Sequence, residues 1–323
     1  MFAEDIQVIR EEDYSLQFLE YTSKLVLSED WLSSKDLYLK IFKYGRDILK
    51  KFGRKTPIIY VVLKVLKIIR VECTRILSGN PELEEQLTNQ LFAETKIEID
   101  EVCRSTLKDY LSEALSELTN EIDDGQQSLE EYGMKNILNE DLILTIGYSK
   151  LVFKILKYAA ENEKKFTVIV LEGHPLKGAA QMANKLGKLG VSVIAASERS
   201  SFTLLSKVDK VFVEADTVFA DGGLLCRSGA HQICLDAKLK SVPVYACLLS
   251  SRLSPLLSVE YTERSLDTDS TNEISVFHPL DLLPSDLISS LVTDIGSLHP
   301  SQFMSMTKDY FRSDDVSDFL SVL

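Results

Sequence analysis

Five short apolar runs in the second half of the chain restrict its fold more than any other feature. They are LILTIG (142–147), FTVIVLEG (166–173), VSVIAASE (191–198), KVFVEAD (210–216) and PVYACLL (243–249). Each is rich in β-branched and aliphatic residues and nearly continuous in its hydrophobicity, the pattern of a strand buried on both faces. Spacers with helical periodicity separate them, for example KGAAQMANKLGKLG at 177–190. Buried strands that alternate with helices read as right-handed βαβ units, and so as an open parallel sheet.

The residues before these runs carry helical rather than strand periodicity. Between Ser34 and Leu77 the pattern predicts a helical hairpin broken near Gly53 and Pro57. Its second arm keeps Lys64, Lys67, Val71 and Arg75 on one stripe with aliphatic residues elsewhere, so that arm must be packed on several sides. Leu83, Leu87 and Leu91, then Leu107, Leu111, Leu115, Leu118 and Ile122, recur at three- and four-residue steps, which predicts amphipathic helices with an acidic outer face. The polar patch DDGQQS at 123–128 marks the change of pattern, and SVEYTERSLDTDSTNEIS at 258–275 reads as an exposed loop. The expected architecture is α/β: an all-helical domain over residues 1–135, then a Rossmann-like parallel-sheet domain with helices on both faces over residues 136–323.

A net charge of −13 argues against a general nucleic-acid binder, because phosphate neutralisation needs an excess of Lys and Arg. The charge is segregated. Trp31–Asn80 holds 12 Lys and Arg against three acids, a net of +9, whereas Pro81–Asp141 holds four bases against 17 acids, a net of −13. The two segments pack together, form two partner surfaces, or are solvated helix faces. The five cysteines are scattered, form no CxxC pair and have no clustered histidines, so no metal is expected and a reduced cytosolic location fits. The apolar stretch IIYVVLKVLKII (58–69) is interrupted by Lys64 and Lys67 well short of the ~20 residues a membrane span needs. MFAEDIQVIREED places acids where a signal peptide places bases, so no secretion signal and no membrane partner are expected.

In a doubly wound sheet, ligands bind beyond the carboxyl ends of the strands. The residues expected there are Gly147, Tyr148 and Ser149; Glu172, Gly173 and His174; Ser197 and Glu198; and Ala215 and Asp216, followed by ADGGLLCRSGAHQ at 220–232. In that last segment Gly222 and Gly223 permit unusual backbone angles, while Ser228 and Gly229 precede a helix whose free amides can hold a phosphate. The same glycines can simply shape a loop. Asp216 is placed either to act as a general acid or base or to cap a turn. No GxGxxG, GxxxxGK[ST] or GxSxG element is present, so a dinucleotide site, a P-loop and a serine-hydrolase elbow all lack support.

VEADTVFADGGLLCRSGAHQICLDAK (213–238) resembles the signature of the family that unites the alpha, beta and delta subunits of initiation factor 2B with methylthioribose-phosphate and ribose-bisphosphate isomerases. LTIGYSKLVFKILKYAAENEKKFTVIVLEGHP (144–175), LKVLKIIRVEC (63–73), PSDLISSLVTDIGSLHPSQ (284–302) and SDDV (313–316) are similar to beta-type members, in the family's order. The isomerases place a catalytic cysteine after the first strand and an aspartate after the fourth. Asp216 matches the aspartate, but the cysteine position falls at about Gly147, so the resemblance implies no catalytic residue, no cofactor and only a vestigial pocket at Gly147, Asp216, Gly222, Gly223, Ser228 and Gly229. Asp221, ahead of the glycines, disfavours a bound phosphate.

The resemblance also implies a non-catalytic regulatory subunit, paired with delta inside a decamer that contains alpha, gamma and epsilon subunits and exchanges guanine nucleotide on initiation factor 2. The helical domain is then expected to meet the alpha subunit of initiation factor 2 and to sense its phosphorylation. The acidic face carrying Asp109, Glu113, Glu117 and Glu121 is the expected contact, since the substrate loop is basic in this family. A sugar-phosphate isomerase and a phosphometabolite-binding module are the competing readings.

Overall fold

Residues 11–28, 30–52, 56–78, 101–173, 178–259, 280–311 and 313–320 are described by the computed structural model of the chain. The leucine stripe expected at 83–91, His174 and most of the loop expected at 258–275 lie outside them. In chain order the helices are α1 (Glu11–Leu27), α2 (Ser34–Phe52), α3 (Thr56–Ser78), α4 (Glu101–Lys135), α5 (Lys150–Glu161), α6 (Gly178–Gly187), α7 (Ser201–Leu204), α8 (Ala230–Leu239), α9 (Pro300–Tyr310) and α10 (Ser313–Leu320). The strands are β1 (Leu142–Ile146), β2 (Thr167–Leu171), β3 (Ser192–Ala196), β4 (Lys210–Val218), β5 (Leu224–Arg227), β6 (Val244–Cys247), β7 (Leu280–Leu283), β8 (Ser290–Thr293) and β9 (Gly296–Leu298). They fall into two compact units, Met1–Asp123 with Lys308–Leu323, and Asp124–Thr307.

The helical unit is organised on α3. As its sequence demands, Ile58, Ile59, Val61, Val62, Leu63, Val65 and Leu66 are all buried, and both α1 and α2 pack against it. Gly45 of α2 admits the Val62 side chain, which would lie 2.7 Å from any added Cβ. The end of the chain returns to this unit through buried, specific contacts. Arg70 Nη2 donates to Asp315 Oδ1 at 2.6 Å, and the Tyr38 hydroxyl donates to the same oxygen at 2.7 Å. Phe319 meets Phe42 edge-on at 5.4 Å, Phe311 meets Tyr60 edge-on at 5.8 Å, and Lys64 Nζ lies 4.1 Å from the Tyr310 ring. Burial first, then the Asp315 carboxylate, raises the Tyr38 hydroxyl pKa, so Tyr38 serves this cluster as a neutral donor. The helical unit therefore combines sequence from both ends of the chain, which no single cut at residue 135 expresses.

In the second unit the five expected strands all form and order themselves β3-β2-β1-β4-β6, extended by β8 and β9. Every neighbouring pair from β3 to β8 is parallel, and β9 turns back as a hairpin through Gly296, whose φ of 137° suits glycine. Four strands, β5, β7, β8 and β9, were not expected. Each is only three or four residues long, and β5 finds its partner β7 more than fifty residues downstream, so no local periodicity announces them.

Two further expectations are corrected. The strand expected to end at Asp216 continues to Val218, and Asp216 sits at the register shift between Ala215 and Thr217, where β4 leaves its parallel neighbours and pairs antiparallel with β5. The helical pattern expected to residue 135 is realised in α4, 35 residues long, which runs through DDGQQS with Gly125, Leu129 and Gly133 buried along one side. Finally, β3 is not buried on both faces. Ser192, Ile194 and Ala195 are exposed, since β3 is an edge strand paired only with β2.

The two mid-helix glycines of α4 have a steric cause. A Cβ at Gly133 would lie 2.6 Å from Ile155 Cγ2 of α5, and one at Gly125 would lie 3.0 Å from Asp294 Oδ2. Gly187, at the end of α6, faces nothing within 4 Å. Gly133→Ala should therefore destabilise the protein by ~1–3 kcal/mol through overpacking, even though alanine is the better helix former. Gly187→Ala should be neutral or stabilising by about 0.5–1 kcal/mol; paired thermal melts of the two variants check the contrast.

Candidate functional site

The order of strands reverses between β1 and β4, the switch point at which a doubly wound fold places ligands. These strands pair at only two positions, Ile143 with Lys210 and Leu144 with Val211, whereas β1 and β2 pair at five. Lys210 Nζ bonds Asp141 Oδ2 at 2.5 Å, and Asp209 Oδ2 accepts the Leu142 amide at 2.8 Å, so the pairing is fastened at the starts of both strands.

Two of the expected residues lie at the ends of these strands, Gly147 beside Gly173 and Gly178, and Asp216 on β4. Gly147 has a φ of 57° and its added Cβ would meet nothing within 4 Å, so the thiol position has room but a left-handed backbone that favours glycine. Ser149 caps α5 by accepting the Val152 amide at 3.0 Å, and its hydroxyl donates to Glu214 Oε2 at 2.5 Å. Asp216 Oδ1 bonds Arg252 Nη1 at 2.8 Å. Both β4 carboxylates that face this region are thus committed to internal partners. Glu214 was legible in principle, because alternation puts it on the same side of β4 as Asp216; Arg252, on a 3₁₀ turn after β6, carried no signal.

Three thiols lie nearby, and all are sealed. Cys226 faces Ala215 across β5, Cys247 is in register with Glu214, and Cys234 lies on α8. Burial, reinforced by neighbouring carboxylates, pushes the Cys234 thiol up to about 12 and that of Cys226 well above its ordinary value.

The remaining expected residues fall in two other places. Gly222, with a φ of 79°, lies against the Pro300 carbonyl, 3.1 Å from where its Cβ would be, and Asp221 Oδ2 accepts both the amide and the hydroxyl of Ser258 at 3.0 and 2.5 Å. Gly222 and Gly223 accordingly shape a loop, with Asp221 as its internal fastener. Ser228 and Gly229 instead line an open cleft of about 950 Å³ with Glu172, Gly173, Ser197, Glu198, Arg199 and Asp236, so the ends of β2 and β3 do converge as expected. The amides expected to be free at the start of α8 are not: Gly229 and His231 both donate to Asp281 Oδ2, at 2.8 and 3.1 Å. A β7 carboxylate occupies the position an anion would take, and β7 was invisible in the sequence. Asp236, buried and bonded to Ser201 at 2.6 Å, adds a third carboxylate to a cleft that holds one arginine.

On the helical unit, α4 presents Asp109, Glu113, Glu117 and Glu121, all exposed, opposite buried Leu107, Leu111, Leu115 and Leu118. The amphipathic pattern is realised as the spacing predicted. The four carboxylates form one solvent-facing stripe.

Residues 82–300 match the model of the initiation factor 2 subunit family. The chain is 27% identical over 223 residues to the Dictyostelium discoideum translation initiation factor eIF2B subunit beta, covering 65% of this chain and 57% of that protein. It is also 27% identical over 254 residues to the Schizosaccharomyces pombe eIF2B subunit beta, covering 74% of this chain and 63% of that protein. The chain thus spans roughly six-tenths of the length of these relatives. Among solved structures, eIF2B beta from Chaetomium thermophilum superposes with a TM-score of 0.75 at 20% identity, over 96% of this chain and 88% of that one. The tetrameric eIF2B-beta2-delta2 complex from C. thermophilum gives 0.73 at 20% identity, over 94% and 90%.

The state of the thiols is directly testable. Because Cys226 and Cys234 hold their protons far above neutral pH, alkylation at pH 8 should leave both unmodified in the folded protein and label both once denaturant unfolds it. Rapid modification of either in the native state, read by peptide mass spectrometry, would contradict the burial of these thiols.

Proposed function

Since this chain belongs to the initiation factor 2 subunit family, we propose that it is a regulatory, non-catalytic subunit of the guanine-nucleotide exchange factor for initiation factor 2, of the beta type. The observation that carries this reading is the missing thiol partner. A proton relay on a sugar phosphate needs two proton-transfer groups. Here Gly147 stands where the related isomerases have a thiol, so that partner is absent, while Asp216, 43% exposed, is paired with Arg252 and Glu214 is bonded to Ser149. A binding module for phosphorylated metabolites has the 950 Å³ cleft in its favour, but the carboxylates lining it and Asp281 at the helix start oppose a phosphate.

The protein contributes surfaces. Parallel strands are ordinarily covered on both faces, yet β3 leaves Ile194 50% exposed, and Phe202, Leu235 and Leu239 are exposed at 49%, 40% and 74%. We assign this region to pairing with a delta-type subunit of the same fold, within a cytosolic assembly that also contains alpha, gamma and epsilon subunits. The beta2-delta2 composition of a solved relative supports the pairing. The acidic stripe of α4 is assigned to the alpha subunit of initiation factor 2, where opposite charge speeds encounter and fixes orientation.

Native mass spectrometry of the tagged chain from its source cells should show the four other subunits in equal stoichiometry. Ile194→Asp should weaken the delta-type pair about tenfold or more without altering the melting temperature of the isolated chain, because the residue is half-exposed. Glu113→Lys with Glu117→Lys should slow association with unphosphorylated initiation factor 2 and flatten its salt dependence. A purified, solitary chain that turns a ribose phosphate into a ketose, with loss of that activity in Asp216→Asn, would replace this reading with the isomerase.

A further inference from the structure

From the outer face of α2, we propose that the helical unit carries a second docking surface, basic and opposite in sign to the α4 stripe, which receives an acidic amphipathic helix of another protein. The inference rests on the reading of the chain as a member of a multi-subunit assembly.

At 100° per residue, Leu39, Lys43, Arg46 and Lys50 of α2 align on one stripe, with Lys35 at its border and Leu32 just before the helix. Lys35, Lys43 and Lys50 are exposed, Arg46 is half-buried, and Leu32 and Leu39 are 85% and 53% exposed. Exposed apolar surface rimmed by polar residues marks interaction sites. The cations are also unspent. Elsewhere in this unit Lys24 bonds Glu20, Lys40 bonds Asp36 and Arg70 bonds Asp315. Lys35, Lys43, Arg46 and Lys50 have no ion-pair partner among the described residues, although the chain carries 13 more acids than bases. Asp36, already bonded to Lys40, and exposed Asp47 lie along one edge of the stripe and leave its centre positive.

Charge complementarity and shape define the occupant. From Lys35 to Lys50 the stripe is about 22 Å long, which matches a partner helix of about four turns. Its aliphatic end calls for an apolar anchor and its cationic end for a row of carboxylates. RNA is the weaker match. The stripe has leucines where single-stranded nucleic acid is met by aromatic platforms, and the net charge of −13 repels a polyanion.

The test uses the full chain with the delta, alpha, gamma and epsilon subunits and initiation factor 2, each titrated separately across a range of salt. Reversal of the cationic end, Lys43→Glu with Arg46→Glu and Lys50→Glu, should raise the Kd for at least one of these proteins about tenfold and abolish its salt dependence. Leu39→Ala should weaken the same protein several-fold without changing the salt dependence, and both variants should melt like wild type. Equal affinities for every protein in wild type and both variants would overturn the inference. So would a stripe-dependent affinity for a single-stranded RNA oligonucleotide in place of a protein. The assembly reading is scored apart, by Ile194→Asp: wild type binding none of the five proteins removes that reading and this inference together, whereas partners lost on Ile194→Asp but not on α2 reversal remove the inference alone.

Discussion

The junction of β1 and β4 is the constraint on which the α/β unit depends, and a buried ion pair holds it. Two rungs of parallel ladder are too few to fix how the halves of a sheet join, and Asp141 with Lys210 supplies the missing restraint at the base of both strands. Burying both charges carries a desolvation cost that only close geometry offsets. The Asp141 carboxylate meets that condition, since it also accepts the Leu138 amide at 2.6 Å. The pairing of the two strands is thereby fastened at their starts.

Several polar groups at the strand ends have internal partners: Ser149 bonds Glu214, Arg252 bonds Asp216, and Asp281 accepts two amides at the start of α8. Each of these bonds closes a hydrogen-bonding requirement that a substrate would otherwise meet. The exterior carries an uncovered strand on one unit and separate acidic and basic helix stripes on the other.

Much of this was legible in the sequence, with limits set by the range of the interactions. The five core strands, the α2–α3 hairpin and the buried side of α4 each follow from periodicity, a local signal. The expected phosphate position failed because Asp281 lies 52 residues from Gly229, and the steric role of the α4 glycines was hidden because they answer to Ile155 and Asp294. β3 was misread for a related reason: its run is as apolar as that of β2, and only its place at the sheet edge leaves Ile194 uncovered.

By itself the sequence determined which segments become helix and strand, the amphipathic faces and the segregation of charge, because these depend on the order of neighbouring residues. Tertiary structure alone decided which carboxylates are neutralised, which strand is left at the edge, and that the last helix joins the first three. Those outcomes depend on pairs far apart in the chain, such as Arg70 with Asp315 and Asp216 with Arg252, whose meeting is a consequence of the packed fold.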